Sequence, residues 1–136
     1  MAQEQGAPTP ADDLRERAAV TARLAELLGE RSEREVALVT RLVGGFPVKA
    51  SGLVERWSAA TLHGEREEAA RAVHTLKGTA LNLGSSTVSR VCAEIESWSR
   101  DGGRGDEARQ RERLVAAVAA LGRTLADVAP TLAITG

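Results

Sequence analysis

The sequence predicts an all-α fold, an antiparallel four-helix bundle with additional N-terminal helices. Three observations carry this expectation. Apolar residues recur three and four positions apart through most of the chain, the spacing that gathers them on one side of a helix. No segment alternates apolar and polar residues convincingly over the length of a strand. Glycine- and proline-bearing breaks separate the periodic runs at short intervals, and short connections make neighbouring helices antiparallel. With 136 residues the chain fits one domain, large enough to bury roughly two-thirds of the surface its unfolded form exposes.

Residues 1–8 combine Gly, Pro and Gln without periodicity and are expected to be a disordered tail. The bundle is expected over 9–129, with a C-terminal tail at 130–136. Thr9-Pro10-Ala11-Asp12 opens the first helix with a capping hydroxyl, a first-turn proline and an acid at the third position. Leu14, Ala18, Thr21, Leu24 and Leu28 form its expected inner stripe, and Gly29 ends it. Ser32 with Glu35 makes a capping box for a second helix through Val36, Val39 and Val43 to Gly44-Gly45. Phe46-Pro47 predicts a break or a sharp kink, followed by a third helix with Leu53, Trp57 and Ala60 inward that fades at His63-Gly64. The fourth helix spans about 65–83, stopped by Gly84. Ser85 or Ser86 caps a fifth, with Val88, Val91, Cys92 and Ile95 inward, and the loop Gly102 to Gly105 closes it. A sixth, from about Asp106 to Val128, buries Leu114, Val118, Leu121 and Leu125 before Pro130.

Composition narrows the function. The 18 basic and 19 acidic residues leave a net charge of −1, mixed along the chain, so no electrostatic footprint for nucleic acid is visible. Phe46, Trp57 and Trp98 are the only aromatics, too few for a base-stacking platform. With two histidines, one cysteine and no tyrosine, the chain is poor in the converging polar groups of an independent enzyme. Cys92 has no partner for an internal disulfide, which suits a reducing compartment. No leader-like N-terminus is visible, and the longest apolar stretch, Leu114 to Leu121, is too short to span a bilayer. A cytoplasmic protein without a metal of its own is expected.

The fourth helix holds the chemistry. At about 100° per residue, Ala69, Val73, Leu76, Ala80 and Leu83 share an arc of roughly 80°, the core face, and His74 points about 150° from its centre. Around this outward histidine the charged start of the helix gives way to small or apolar residues, Ala70, Gly78 and Leu81, with Arg71 beside them. A partner surface explains such a change. Gly78 sharpens it, since an interior helical glycine costs about 1 kcal/mol relative to alanine. Its missing side chain either lets a partner or a phosphate approach His74, or lets a neighbouring helix come close, or is neutral. Lys77, at the i+3 spacing of surface neighbours, can reach a group carried by the imidazole and disfavours the imidazolium.

Ala72-Val73-His74-Thr75-Leu76-Lys77-Gly78-Thr79-Ala80-Leu81-Asn82-Leu83-Gly84 resembles the signature of the histidine-containing phosphotransfer (HPt) family. Downstream, Cys92-Ala93-Glu94-Ile95-Glu96 is similar to the pattern of that family's following helix, and Gly64-Glu65 resembles the turn before the histidine helix. The specific part runs from Gly64 to Glu96. The resemblance implies that His74 is the phosphoacceptor through Nε2, that Lys77 orients and screens the phosphoryl group, and that Gly78 clears space for a docking receiver domain. Ala70, Arg71, Leu81 and Asn82 are expected in the same docking surface, Gly84 as a structural turn and Cys92 as core.

By the same resemblance the chain is a phosphoryl carrier of a phosphorelay rather than an enzyme. It accepts a phosphoryl group from a receiver aspartate and passes it to another, with any magnesium held by the receiver. Response-regulator receivers are the expected partners, with a hybrid histidine kinase as a further one, and neither nucleic acid nor membrane is involved. Met1 and the N-terminal tail suit a free-standing protein, expected to be a monomer. Two rivals keep the fold: a substrate of a chemotaxis-type histidine kinase, and a receiver-docking module that is never phosphorylated. A metal site pairing His63 with His74 lacks an obvious third ligand.

Overall fold

A computed structural model describes residues 9–134. Five α-helices follow one another: α1 (Pro10–Leu28), α2 (Glu33–Leu62), α3 (Arg66–Asn82), α4 (Ser86–Arg100) and α5 (Glu107–Val128), with a short 3-10 turn at Ala129–Leu132. Helices α2 to α5 form the antiparallel four-helix bundle, each packing against the next and α5 closing back onto α2. One N-terminal helix, α1, lies across α2 and α5.

Both expected capping boxes are present. In α1 the Asp12 amide donates to Thr9 Oγ1 at 3.1 Å and the Thr9 amide to Asp12 Oδ2 at 3.2 Å. At the start of α2, Ser32 and Glu35 make the same reciprocal pair at 3.1 and 2.9 Å. Each box satisfies two of the amides that a helix start leaves without intrahelical partners. Ser85, rather than Ser86, caps α4 by accepting from the Val88 amide at 3.2 Å.

Three expectations need correcting. Pro47 does not divide the second helical region, so the bundle has one 30-residue helix where two were expected. The proline ring is exposed, while Val39, Val43, Phe46, Ala50, Leu53, Trp57 and Ala60 form one continuous buried stripe on either side of it. The apolar burial along that stripe outweighs one absent amide donor. In α1, Leu14 and Ala18 face solvent and the buried residues are Val20, Leu24 and Leu28, because only the second half of the helix lies on the apolar surface of the bundle. Finally, the expected tail at 130–136 is packed as far as Ile134, which is 3 % exposed; the 3-10 turn folds it back, and Arg31 holds the Leu132 carbonyl at 2.8 Å. The expectation for residues 1–8 lies outside the described residues.

By length, and by the mean hydropathy of an 18-residue stretch within each, Glu33–Leu62 and Glu107–Thr131 reach the range of a membrane span, although no uninterrupted apolar run in the chain is that long. In this fold each turns its apolar stripe into the bundle core.

Helix α1 also has polar contacts at the α3–α4 turn. Glu16 accepts from the Ser85 hydroxyl, from the amides of Ser86 and Thr87 at 3.2 and 3.3 Å, and from the Thr87 hydroxyl at 3.2 Å. A carboxylate is thereby set at the positive end of α4. Arg23 holds the Asn82 carbonyl and side-chain oxygen at 3.0 and 3.1 Å. Helix α1 thus clasps the α3–α4 turn, and Gly84 makes the approach possible. Its φ of +87° suits glycine, and a Cβ there would lie 2.7 Å from the Ala19 carbonyl oxygen.

Candidate functional site

Helix α3 has α2 on one side and α4 on the other, so its buried arc is wider than the core stripe read from periodicity: Ala70 and Ala72 join Ala69, Val73, Leu76 and Ala80. His74 remains outside, with its side chain 63 % exposed. Arg71, Gly78, Leu81 and Asn82 are exposed on the same side. Ala70 is not. It is wholly buried, because α4 packs over that flank, and it is withdrawn from the docking surface. Asn82 lies two turns from His74 with its oxygens engaged by Arg23. A Cβ added at Gly78 would meet nothing within 4 Å, so the glycine does not serve a close helix–helix approach.

Facing the histidine from α4 is a side chain to which sequence reading gave no role. Glu96 lies on the inward face of α4 with Val88, Cys92, Ile95 and Ser99, and its side chain is only 10 % exposed. One carboxylate oxygen is 3.2 Å from His74 Nδ1, and the other accepts from Lys77 Nζ at 3.1 Å. Arg100, one turn on, donates to the same carboxylate and also reaches Glu67 at 3.8 Å. A buried carboxylate is costly unless it is paired and hydrogen-bonded, and this one has three donors within reach. Burial pushes the Glu96 carboxyl upward, but hydrogen bonds from Arg100, Lys77 and His74 more than reverse this and hold it near 2, down from an ordinary 4.5. Glu96 is therefore ionised at any physiological pH.

The consequence falls on the imidazole. A carboxylate at Nδ1 favours the tautomer with its proton on that nitrogen, which donates to Glu96. Nε2 then carries the free lone pair on a ring that is largely open to solvent. The site joins an outward nucleophilic nitrogen, a half-buried ammonium one turn along the same helix, a guanidinium from the next, and a glycine that leaves the approach unobstructed.

This arrangement has a counterpart among known families. A family model for the Hpt domain matches residues 41–124. The chain belongs to the Hpt domain family. Hpt domains are histidine phosphotransfer modules of two-component signalling, phosphocarriers rather than enzymes in general, and they interact with response-regulator receiver domains. The match begins inside α2 and ends inside α5, leaving α1 and the 3-10 turn outside it. No curated protein and no solved structure matched the chain in the corresponding searches.

Within the Hpt bundle the remaining candidates separate clearly. Cys92 is fully buried, and its thiol is pushed up to about 12, chiefly by burial, with the Lys77 cation opposing. Gly84 serves the turn. His63 ends α2 on the surface, its Nδ1 3.2 Å from the Ala59 carbonyl oxygen, with no part in the His74 cluster. Trp57 is buried and donates to Ser99 Oγ at 3.0 Å, and its ring lies 6.1 Å from that of Trp98. Among the described residues no three His, Cys, Asp or Glu side chains converge as a metal site would require.

Proposed function

We propose that this Hpt protein accepts a phosphoryl group from a receiver aspartate onto Nε2 of His74 and passes it to a second receiver aspartate. The observation that carries the reading is the pairing of an exposed imidazole with a buried carboxylate at Nδ1. In the forward step the Nε2 lone pair attacks phosphorus. The bond from phosphorus to the aspartyl oxygen breaks, and the carboxylate leaves with its electron pair. The phosphorylated ring is cationic, and its Nδ1 proton stays in the hydrogen bond to Glu96, so no proton has to leave for the reverse transfer. Lys77 lies within reach of the phosphoryl oxygens, and Gly78 admits the receiver. Glu96 acts through the histidine as a positioning residue.

The protein is proposed to need no cofactor of its own, magnesium being held by the receiver, and to act as a cytoplasmic monomer. Arg71 and Leu81, which is 54 % exposed, are proposed as receiver contacts beside His74.

The test is transfer from an acetyl-phosphate-charged receiver domain, followed by mapping of the acid-labile label. Label is expected on His74, none on the His74→Gln protein, and slower labelling of Lys77→Ala. Full labelling of the Gln variant would overturn the assignment. Nitrogen-15 shifts of the ring provide a second readout, with the Nδ1–H form expected in the wild type and a mixture of tautomers in Glu96→Gln.

A further inference from the structure

On the side of His74 away from Glu96, α2 and α3 leave a groove of about 590 Å³ between them, bordered by Gly78 and Thr75 of α3 and by Arg41, Gly45 and Lys49 of α2. Over residues 36–54 of α2 the only charged side chains are Arg41 and Lys49. They stand at i and i+8 with Gly45 midway, one stripe about 12 Å long on one side of the helix. Both are exposed, and among the described residues no carboxylate lines the groove and neither cation has an ion-pair or hydrogen-bond partner. In a chain whose net charge is −1, this concentrates positive charge beside the histidine. Gly45 faces the groove as Gly78 does: a Cβ at either would meet nothing within 4 Å.

Two cations without counter-ions, flanking an open recess lined by Thr75 and Gly78, the residues next to His74 and one turn beyond it, fit a partner whose complementary surface is acidic. The geometry points to this groove as the surface that selects the receiver, taking an acidic surface segment next to the receiver's phosphoryl aspartate between Arg41 and Lys49. The inference rests on the phosphotransfer reading and adds to it where discrimination occurs. Charge pairs at such a rim act on encounter and partner choice more than on final affinity, so the effect belongs in the rate of transfer.

The test compares wild type, the double reversal Arg41→Glu/Lys49→Glu and, as a control on α5, Arg123→Glu, using a panel of receiver domains charged with acetyl phosphate. Direct labelling of His74 by phosphoramidate, which needs no docking, is measured in parallel. The double reversal is expected to label from phosphoramidate as the wild type does, yet to take phosphoryl from its receiver about tenfold more slowly or worse at low salt. The wild-type rate should fall with added salt and the variant's should not, while Arg123→Glu transfers normally. Equal transfer by the double variant, or wild-type labelling by phosphoramidate with transfer from no receiver, overturns the groove assignment and leaves His74 as phosphoacceptor. Loss of His74 labelling in the wild type itself would instead remove the phosphotransfer reading. Self-association of the wild type that the double reversal abolishes would identify the occupant as a second copy of this chain and also overturn the proposal.

Discussion

Replacing Glu96 by glutamine removes the carboxylate shared by His74, Lys77 and Arg100 while keeping the side chain's size. The folded carboxyl titrates near 2 against an ordinary 4.5, a difference that corresponds to at most about 3 kcal/mol of pH-dependent stability. Arg100 is 48 % exposed and Lys77 26 %, so solvent screens both cations, and about 1–2 kcal/mol is the figure to expect. The sign follows from the lowered value. Between pH 4.5 and about 2 the unfolded chain binds a proton that the folded one does not, so this contribution is complete above 4.5 and is lost as pH falls through 2. Urea unfolding followed by circular dichroism at pH 7, 4.5, 3.5 and 2.5 should show the wild type more stable than Glu96→Gln by that amount at neutrality. The gap should close towards pH 2. Asp12 and Glu35, also lowered by their capping hydrogen bonds, are common to both proteins and drop out of the difference. A gap that is absent at pH 7, or equally wide at every pH, would refute the account of Glu96 as an ionised hub.

The two glycines on either side of the last turn of α3 should respond in opposite ways. Gly78→Ala fills open space on a helix and is expected to stabilise by about 0.5–1 kcal/mol in urea melts while slowing receiver transfer; Gly84→Ala meets α1 backbone at a positive φ and is expected to destabilise by about 2 kcal/mol or more. Cys92, buried with its thiol held near 12, should not react with a thiol-specific disulfide reagent at pH 8 until denaturant is added, and stoichiometric reaction of the native protein would contradict its placement. Pro47→Ala restores an amide to the middle of α2 and should raise stability by about 1–3 kcal/mol, measurable as a higher urea midpoint with an unchanged slope.

Local signals were sufficient for much of the architecture. Capping residues announced the starts of α1 and α2, glycines marked the ends of α1 and α3, and periodicity placed His74 outside and Cys92 inside. What failed depended on neighbours. Pro47 reads as a breaker because its penalty is local, whereas the stripe that carries α2 past it is buried by other helices. Ala70 sits on a flank that periodicity assigns to solvent, and only the arrival of α4 covers it. Leu14 is in phase with the core residues of α1 yet exposed, because a stripe shows phase but not where the underlying surface ends. Glu96 left one legible trace. It follows Cys92 by four and Ile95 by one, which sets a glutamate on an inward face, and Arg100 follows at i+4. A carboxylate in that phase demands cationic partners, but nothing local says that one of its contacts would be the histidine of the preceding helix.

Glu96 and a phosphoryl group on His74 would draw on the same two cations. Before transfer, Lys77 and Arg100 are matched by two carboxylates, Glu96 and, 3.8 Å from Arg100, Glu67, so both cations are already engaged. On the proposed transfer, a phosphoryl dianion on His74 would compete for Lys77 and so weaken the compensation of a carboxylate that is nine-tenths buried. The grip is self-limiting. A site with unattached cations could hold its cargo so firmly that no later acceptor would recover it. One whose cations are already engaged would keep the group close in free energy to its donors and acceptors, as the proposed passage to a second receiver requires.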